Sequence, residues 1–413
     1  MEFSNEIITL VNKCQEKARE QFEYVEDVAL FNQNKVLKAF QNNRIATRHF
    51  ANTTGYGYDD IGRDTLAKLL AEIFGCEDAI LSPNIVSGTH ALTLMLFGVL
   101  RPNDNFAYIT GTPYDTLREV IYGENIGSLK DFGVNFEAIE LNNGEFDKEK
   151  IKNLLTSKKM KMLVIQRSRG YEWRDALSIS KIEDIIKFIK EIDKDVIVAI
   201  DNCYGEFVEK KEPTEVGADL LAGSMIKNLG GGIAPTGGYI AGRKDLVEQV
   251  SYRLTAPSIG SEVGSYNSSY QPFYQGIFLA PTVVSSAIKT SILFGYVFNE
   301  LGYKTSPSLD SKCYDIIRSI EFNTAEELIK FIQSVQYASP IDSYVTPMPW
   351  AMPGYQDEVI MAAGTFVSGA SIELSADSPI RAPYIAYLQG GLTFEHGKIA
   401  VMTCADEILK TRK

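Results

Sequence analysis

Histidine is scarce in this chain: His49, His90 and His396 are the only three, they lie far apart, and no His-Glu-x-x-His motif joins any two of them. That leaves no ligand set for a histidine-based metal centre, and metal catalysis is not expected. Cysteine is nearly as sparse. Cys14, Cys76, Cys203, Cys313 and Cys404 form no Cys-x-x-Cys pair, which argues against a disulfide framework or a zinc site and for reduced thiols in a cytoplasmic protein. No uninterrupted run of about 18 apolar residues occurs, and the start, Met-Glu-Phe-Ser-Asn-Glu, lacks a basic segment followed by an apolar one. Neither export nor a membrane partner is expected. Positive charge is in deficit, 41 Lys+Arg against 53 Asp+Glu for a formal net charge of -12. Such a field repels phosphate backbones, so nucleic acid is not an expected partner.

What the chain has is apolar material, 45% of its 413 residues, enough for two or three domains with a large core. Residues 5–42 have helical spacing with charged faces, and 44–62 are rich in Gly, Tyr, Thr and Asn and read as an irregular connection. Beyond a helix over 64–74, strand and helix patterns alternate. Strands are expected at 79–81, 105–110, 161–166 and 196–200, with helices at 88–100 and 182–192; the strands of 161–166 and 196–200 are apolar throughout, as in a sheet covered on both faces. The pattern predicts an α/β domain with a mostly parallel sheet, whose ligands sit at the carboxyl ends of the strands. A helix over 281–300 then leads to a smaller α+β domain, with a helix at 324–335. The expected division is an N-terminal helical segment at 1–45, a large domain at 46–300 and a small domain at 301–413.

Four features of this layout suit pyridoxal phosphate, which needs a lysine for its aldehyde, an acid for its ring nitrogen, a phosphate cup and an aromatic ring over its face. Asp201 ends the apolar run 196–200 and would hold the pyridinium proton. Lys227, in Ser224-Met225-Ile226-Lys227-Asn228 before three glycines, would form the Schiff base, its amine partly desolvated by Met225, Ile226 and Leu229. Ser87-Gly88-Thr89, just before an apolar helix, offers helix N-terminal N–H groups to a phosphate, with Ser224 as a further hydroxyl. Tyr114, or else His90, would cover the ring.

Together these residues resemble the fold-type-I pyridoxal-phosphate enzymes of the cystathionine γ-synthase and methionine γ-lyase group, in particular its aluminium-resistance branch. The resemblance spans roughly residues 55 to 300. It rests on Ser87-Gly88-Thr89, Tyr114, Asp201-Asn202 and Ser224-Met225-Ile226-Lys227. It implies that Tyr58 and a following arginine reach the phosphate of a neighbouring subunit's cofactor. Here Asp60 stands at the arginine position, so either Arg63 supplies the charge or the segment is placed differently, because an acid facing a phosphate is repelled. Ile226 stands where the family has threonine. Arg381 is the expected partner of the substrate carboxylate, while the pattern around Arg318 suggests a solvated helical face. The resemblance further implies a homodimer at minimum, with a homotetramer built from two dimers, and β- or γ-elimination from a sulfur amino acid such as cystathionine, cysteine or methionine. Lys227 would act as base and Tyr114 or Tyr58 as proton donor. Transamination, decarboxylation, aldol cleavage, or cofactor binding with vestigial catalysis and a regulatory or protective role are the alternatives on the same scaffold.

Overall fold

The computed structural model describes residues 3–352 and 357–411; Met1 and Glu2, the start of the stretch inspected for an export segment, lie outside them. Two helices, α1 (Asn5–Lys17) and α2 (Arg19–Asn42), open the chain, followed by α3 (Ile61–Phe74), β1 (Asp78–Ser82), α4 (Gly88–Val99), β2 (Asn105–Tyr108), α5 (Asp115–Tyr122), β3 (Asn135–Ala138), α6 (Lys148–Ser157) and β4 (Met162–Gln166). Next come α7 (Ile179–Ile192), β5 (Ile197–Asp201), β6 (Leu220–Ser224), β7 (Gly238–Gly242), α8 (Lys244–Leu254) and the long α9 (Gln271–Glu300). The rest comprises β8 (Lys304–Ser306), β9 (Ile317–Phe322), α10 (Ala325–Ala338), β10 (Val359–Ala362), β11 (Ser375–Pro379), β12 (Tyr384–Gln389) and α11 (Phe394–Thr411).

The first seven strands form one sheet in the order β1-β7-β6-β5-β4-β2-β3. It is parallel from β3 to β6, while β7 runs antiparallel to both its neighbours. Strand β5 shows why its sequence is apolar at every position. Ile197 and Ala199 join the core formed with Leu92 and Met95 of α4, and Val198 and Ile200 join the core formed with Ile182, Ile185 and Ile189 of α7, so both faces are covered. A second, antiparallel sheet, β10-β11-β12-β9-β8, forms the C-terminal part.

Helix α9 starts ten residues before the helix expected at 281, with Pro272 in its first turn and Pro281 inside it. Proline usually breaks a helix interior because it removes a hydrogen bond. Here the faces of α9 are held by α2, α11 and β9, and packing overrides the local preference. By length and hydropathy α9 passes for a membrane span, yet 78% of its most apolar window is buried inside the protein, as in a core helix.

Candidate active site

Parallel strands deliver their carboxyl ends to one edge of the sheet. Asp201 is the last residue of β5, Lys227 follows β6 by three positions, and Tyr114 follows β2. All three line one cavity of about 430 Å³, closed on its other side by the small domain. Asp201 and Lys227 make no ion pair within 4.0 Å, so a gap separates carboxylate and amine. The Asp201 carboxylate is oriented by the Cys203 N–H, which donates to Oδ1 at 3.1 Å. Lys227 Nζ lies over the Tyr204 ring, 4.2 Å from its centroid, and Tyr204 in turn donates to Ser371 Oγ of the small domain at 3.0 Å. Tyr204 was not foreseen. Its backbone has φ 70°, a left-handed conformation uncommon outside glycine, and nothing in composition or periodicity marks it.

Burial disfavours the Lys227 ammonium, but Cys203, Tyr204, Asp201 and Tyr114 around it outweigh burial and push its pKa above the usual lysine value. Burial also pushes up Cys203 and Tyr204, which therefore stay protonated near neutrality, and it pushes up the Asp201 carboxyl against the opposing charge of Lys227. The expectation that partial desolvation would disfavour the charged amine is thus corrected: the groups around Lys227 push its pKa up instead. Burial and the charge of Asp201 likewise push the Tyr114 phenol upward, so it keeps its proton.

The expected phosphate cup adjoins this cavity without lining it. Ser87 Oγ caps α4 by accepting from His90 N at 3.0 Å, and Thr89 shares a 2.8 Å hydrogen bond with the Tyr114 hydroxyl. A Cβ on Gly88 would stand 3.3 Å from Cys203 Sγ and 3.4 Å from Ser224 Cβ, which brings the cup, β6 and the end of β5 together at a glycine with little room to spare. Ser224 Oγ accepts from Ile226 N at 3.3 Å. His90, the rival ring, is outside the lining and accepts from Val86 N at 3.2 Å, so Tyr114 takes the position at the cavity.

Asp60 faces no phosphate site within this chain. It is buried at the start of α3, where Oδ1 accepts from Gly62 N and Arg63 N, each at 3.0 Å, and Oδ2 accepts from Tyr270 at 2.8 Å and from Thr53. Arg63 is held by Asp64 at 2.9 Å and by the carbonyls of Gly57 and Gly264. Tyr58 is exposed and packs on Tyr56 with ring centroids 5.5 Å apart. None of the three lines the cavity.

On the small-domain side, Arg381 stands at the cavity, half-exposed and paired with Asp357 at 2.9 Å. Arg318 corrects the expectation of a solvated helical face. It lies on β9, 2% exposed, donating to the carbonyls of Ser291 at 3.0 Å and Pro307, and Gly295 of α9 makes room for its guanidinium. Behind the site, Asn202 accepts from Arg167 at 3.0 Å and donates to Glu212 at 3.1 Å, which anchors the end of β5. Tyr239 donates to Glu206 at 2.7 Å, and burial pushes the Glu206 carboxyl up to about 8.

These residues fit pyridoxal phosphate. An amine for the aldehyde, a buried carboxylate across a gap and the N-terminus of α4, opened by a closely packed glycine, meet at one end of the sheet.

Comparison with known proteins agrees. The chain is 50% identical over 390 residues to the uncharacterized protein YnbB of Bacillus subtilis, covering 94% of this chain and 92% of that one. A solved structure from Clostridium acetobutylicum, provisionally described as a cystathionine beta-lyase involved in aluminum resistance, superposes with a TM-score of 0.95 at 48% identity, over 98% of this chain and 96% of its own. The pyridoxal-5'-phosphate-dependent protein YhfS of Escherichia coli, at 14% identity and a TM-score of 0.65 over 94% of this chain and 97% of its own, shares the fold, that of the fold-type-I pyridoxal-phosphate enzymes. Residues 7–409 match the family model described as methionine gamma-lyase, and the chain belongs to that family.

Proposed function

We propose that this chain is a pyridoxal-phosphate-dependent carbon–sulfur lyase, acting by β- or γ-elimination on a sulfur amino acid such as cystathionine, cysteine or methionine. The observation that carries this is the meeting of Lys227, Asp201, Tyr114 and Tyr204 in one cavity, with Lys227 Nζ over the Tyr204 ring. The description of the Clostridium acetobutylicum protein supports the same chemistry.

Pyridoxal phosphate, when bound, supplies an electron sink for the pair left at the substrate α-carbon. Asp201 would hold a proton on the ring nitrogen, which buried surroundings otherwise remove. Lys227 would hold the aldehyde and, as a free amine, would take the α-proton as general base. Tyr204 keeps that amine against an aromatic face, and Tyr114, held protonated, gives its proton to the leaving sulfur. Ser87, Gly88, Thr89 and Ser224 would hold the phosphate together with the N-terminus of α4. Arg381 takes the substrate carboxylate, exchanging Asp357 for it. Tyr58 and Arg63 act across a subunit boundary, which makes a homodimer the minimum unit and a tetramer of two dimers the expected assembly.

The test supplies the cofactor-loaded protein with cystathionine, cysteine and methionine in turn and assays keto acid, ammonia and thiol. Product from at least one, abolished in Lys227→Ala, is expected. No product from any of them ends the assignment.

A further inference from the structure

The charged residues of the cavity wall are mostly matched. Asp115 pairs with Arg118 at 2.9 Å, Asp357 with Arg381 at 2.9 Å and Glu172 with Arg174 at 2.7 Å, while Asp201 is reserved for the ring nitrogen. Asp377, in the middle of β11, has no ion pair among the described residues. Its Oδ2 accepts from Gln389 Nε2 at 3.2 Å and Tyr171 adds a side-chain hydrogen bond, but its buried Oδ1 has no partner. The cation that acts on its titration is Lys227, which already answers Asp201 and would have no free ammonium to offer once it carried the cofactor, while Arg169 of the same wall is paired with Asp315 and Asp175. A carboxylate built into the wall with hydrogen-bonding capacity to spare suits a cation brought by the ligand.

We infer that Asp377 is a specificity residue that receives a second ammonium group on the substrate side chain, selecting sulfur amino acids with an amine beyond the sulfur, such as cystathionine or cystine, over methionine and cysteine. This rests on the lyase assignment for its substrate class, but it is tested by binding alone. Burial pushes the Asp377 carboxyl up to about 6, and Lys227, Tyr171, Tyr204, Tyr387 and Gln389 are the titratable and polar groups that face it. Its charge, and with it the preference for a second ammonium, is therefore gained as pH rises through about 6.

The experiment measures calorimetric dissociation constants of the cofactor-loaded protein for two ligands without a leaving group, 2,7-diaminosuberate and 2-aminosuberate, which differ only in the distal amine. Groups that titrate in both complexes cancel in the ratio. The diamino ligand is expected to bind roughly ten-fold or more tightly at pH 7.5, with the ratio shrinking at pH 5, and Asp377→Asn is expected to bring it near unity while 2-aminosuberate binds as before. A wild-type ratio near unity, a ratio that grows on acidification, or an unchanged ratio in the variant overturns the inference. The wild-type pH series decides even if the variant fails to fold. Absence of thiol release from every sulfur amino acid, with the ligand preference intact, refutes the lyase assignment and leaves the ammonium site standing.

Discussion

Replacing Asp60 separates two accounts of the segment before α3. If this acid stood at a phosphate, its removal would tighten cofactor binding. The structure makes it instead a helix N-cap with four hydrogen-bond donors, Gly62 N, Arg63 N, Thr53 and Tyr270. In Asp60→Ala the cap is lost, at about 1 kcal/mol. The fully buried Tyr270 hydroxyl also loses its acceptor, at about 1 to 3 kcal/mol. The total is roughly 2 to 4 kcal/mol. Asp60→Asn keeps the Oδ1 acceptor that caps the helix, and its Nδ2 can donate to the Tyr270 and Thr53 hydroxyl oxygens that Oδ2 accepted from, so its cost is below that of alanine. Urea denaturation of the cofactor-loaded proteins, with cofactor affinity from its visible absorbance, provides both readings. The expected order of stability is wild type, then Asn, then Ala well below, with cofactor affinity little changed in the folded variants. An alanine variant as stable as wild type that binds the cofactor more tightly would refute the capping role.

Three further substitutions probe the site and its supports. Tyr114→Phe should lower kcat by about 10²- to 10⁴-fold with little change in KM, as loss of a proton donor does; an unchanged kcat would move that role to Lys227. Glu206→Gln tests the buried acid. Because burial raises the folded pKa to about 8, the folded chain keeps a proton that the unfolded chain has released, so this stability is complete below the ordinary carboxyl pKa and is lost as pH rises through about 8. The wild type should therefore lose up to about 1.4 kcal/mol per pH unit relative to the variant between pH 5 and 8, and equal slopes in urea denaturation across that range would refute it. Arg318→Ala should cost roughly 3 to 5 kcal/mol by leaving two carbonyls unpaired and a cavity beside α9, whereas a solvated arginine would cost within about 0.5 kcal/mol; the thermal midpoint distinguishes them.

The large sheet was legible because its strands obey local rules. A continuous apolar run ending in Asp201 carries its own message, since only a strand covered on both faces is apolar at every position, and its carboxyl end is where an α/β sheet presents ligands. The same grammar placed Tyr114 after the strand at 105–110, whereas Lys227 was marked by its apolar flanks and the glycines after it, with β6 itself unread. It failed where a residue's environment comes from distant chain. Arg318 follows Asp315, Ile316 and Ile317 in a stretch whose spacing suits a solvated helix, and only the packing of α9 against β9 turns it inward. Asp60 was left open for another reason: the resemblance put it at an arginine position, while an Asp just before an apolar helical stripe is a capping signal in its own right.

The small domain's share of the site was illegible for a geometric reason. β11 is buried at every position but Asp377, and nothing in Ser375 to Pro379 tells whether that position meets solvent or a second domain. The difference is made by Tyr204, which sits 26 residues after Ser178 caps α7 and more than 160 before its hydrogen-bond partner Ser371. Its left-handed backbone turns the ring beneath Lys227 and its hydroxyl toward the small domain at once. One side chain thereby ties the lysine to the wall that carries Asp377, so the chemistry of the large domain and the selectivity of the small one meet at a residue whose role exists only in the folded chain.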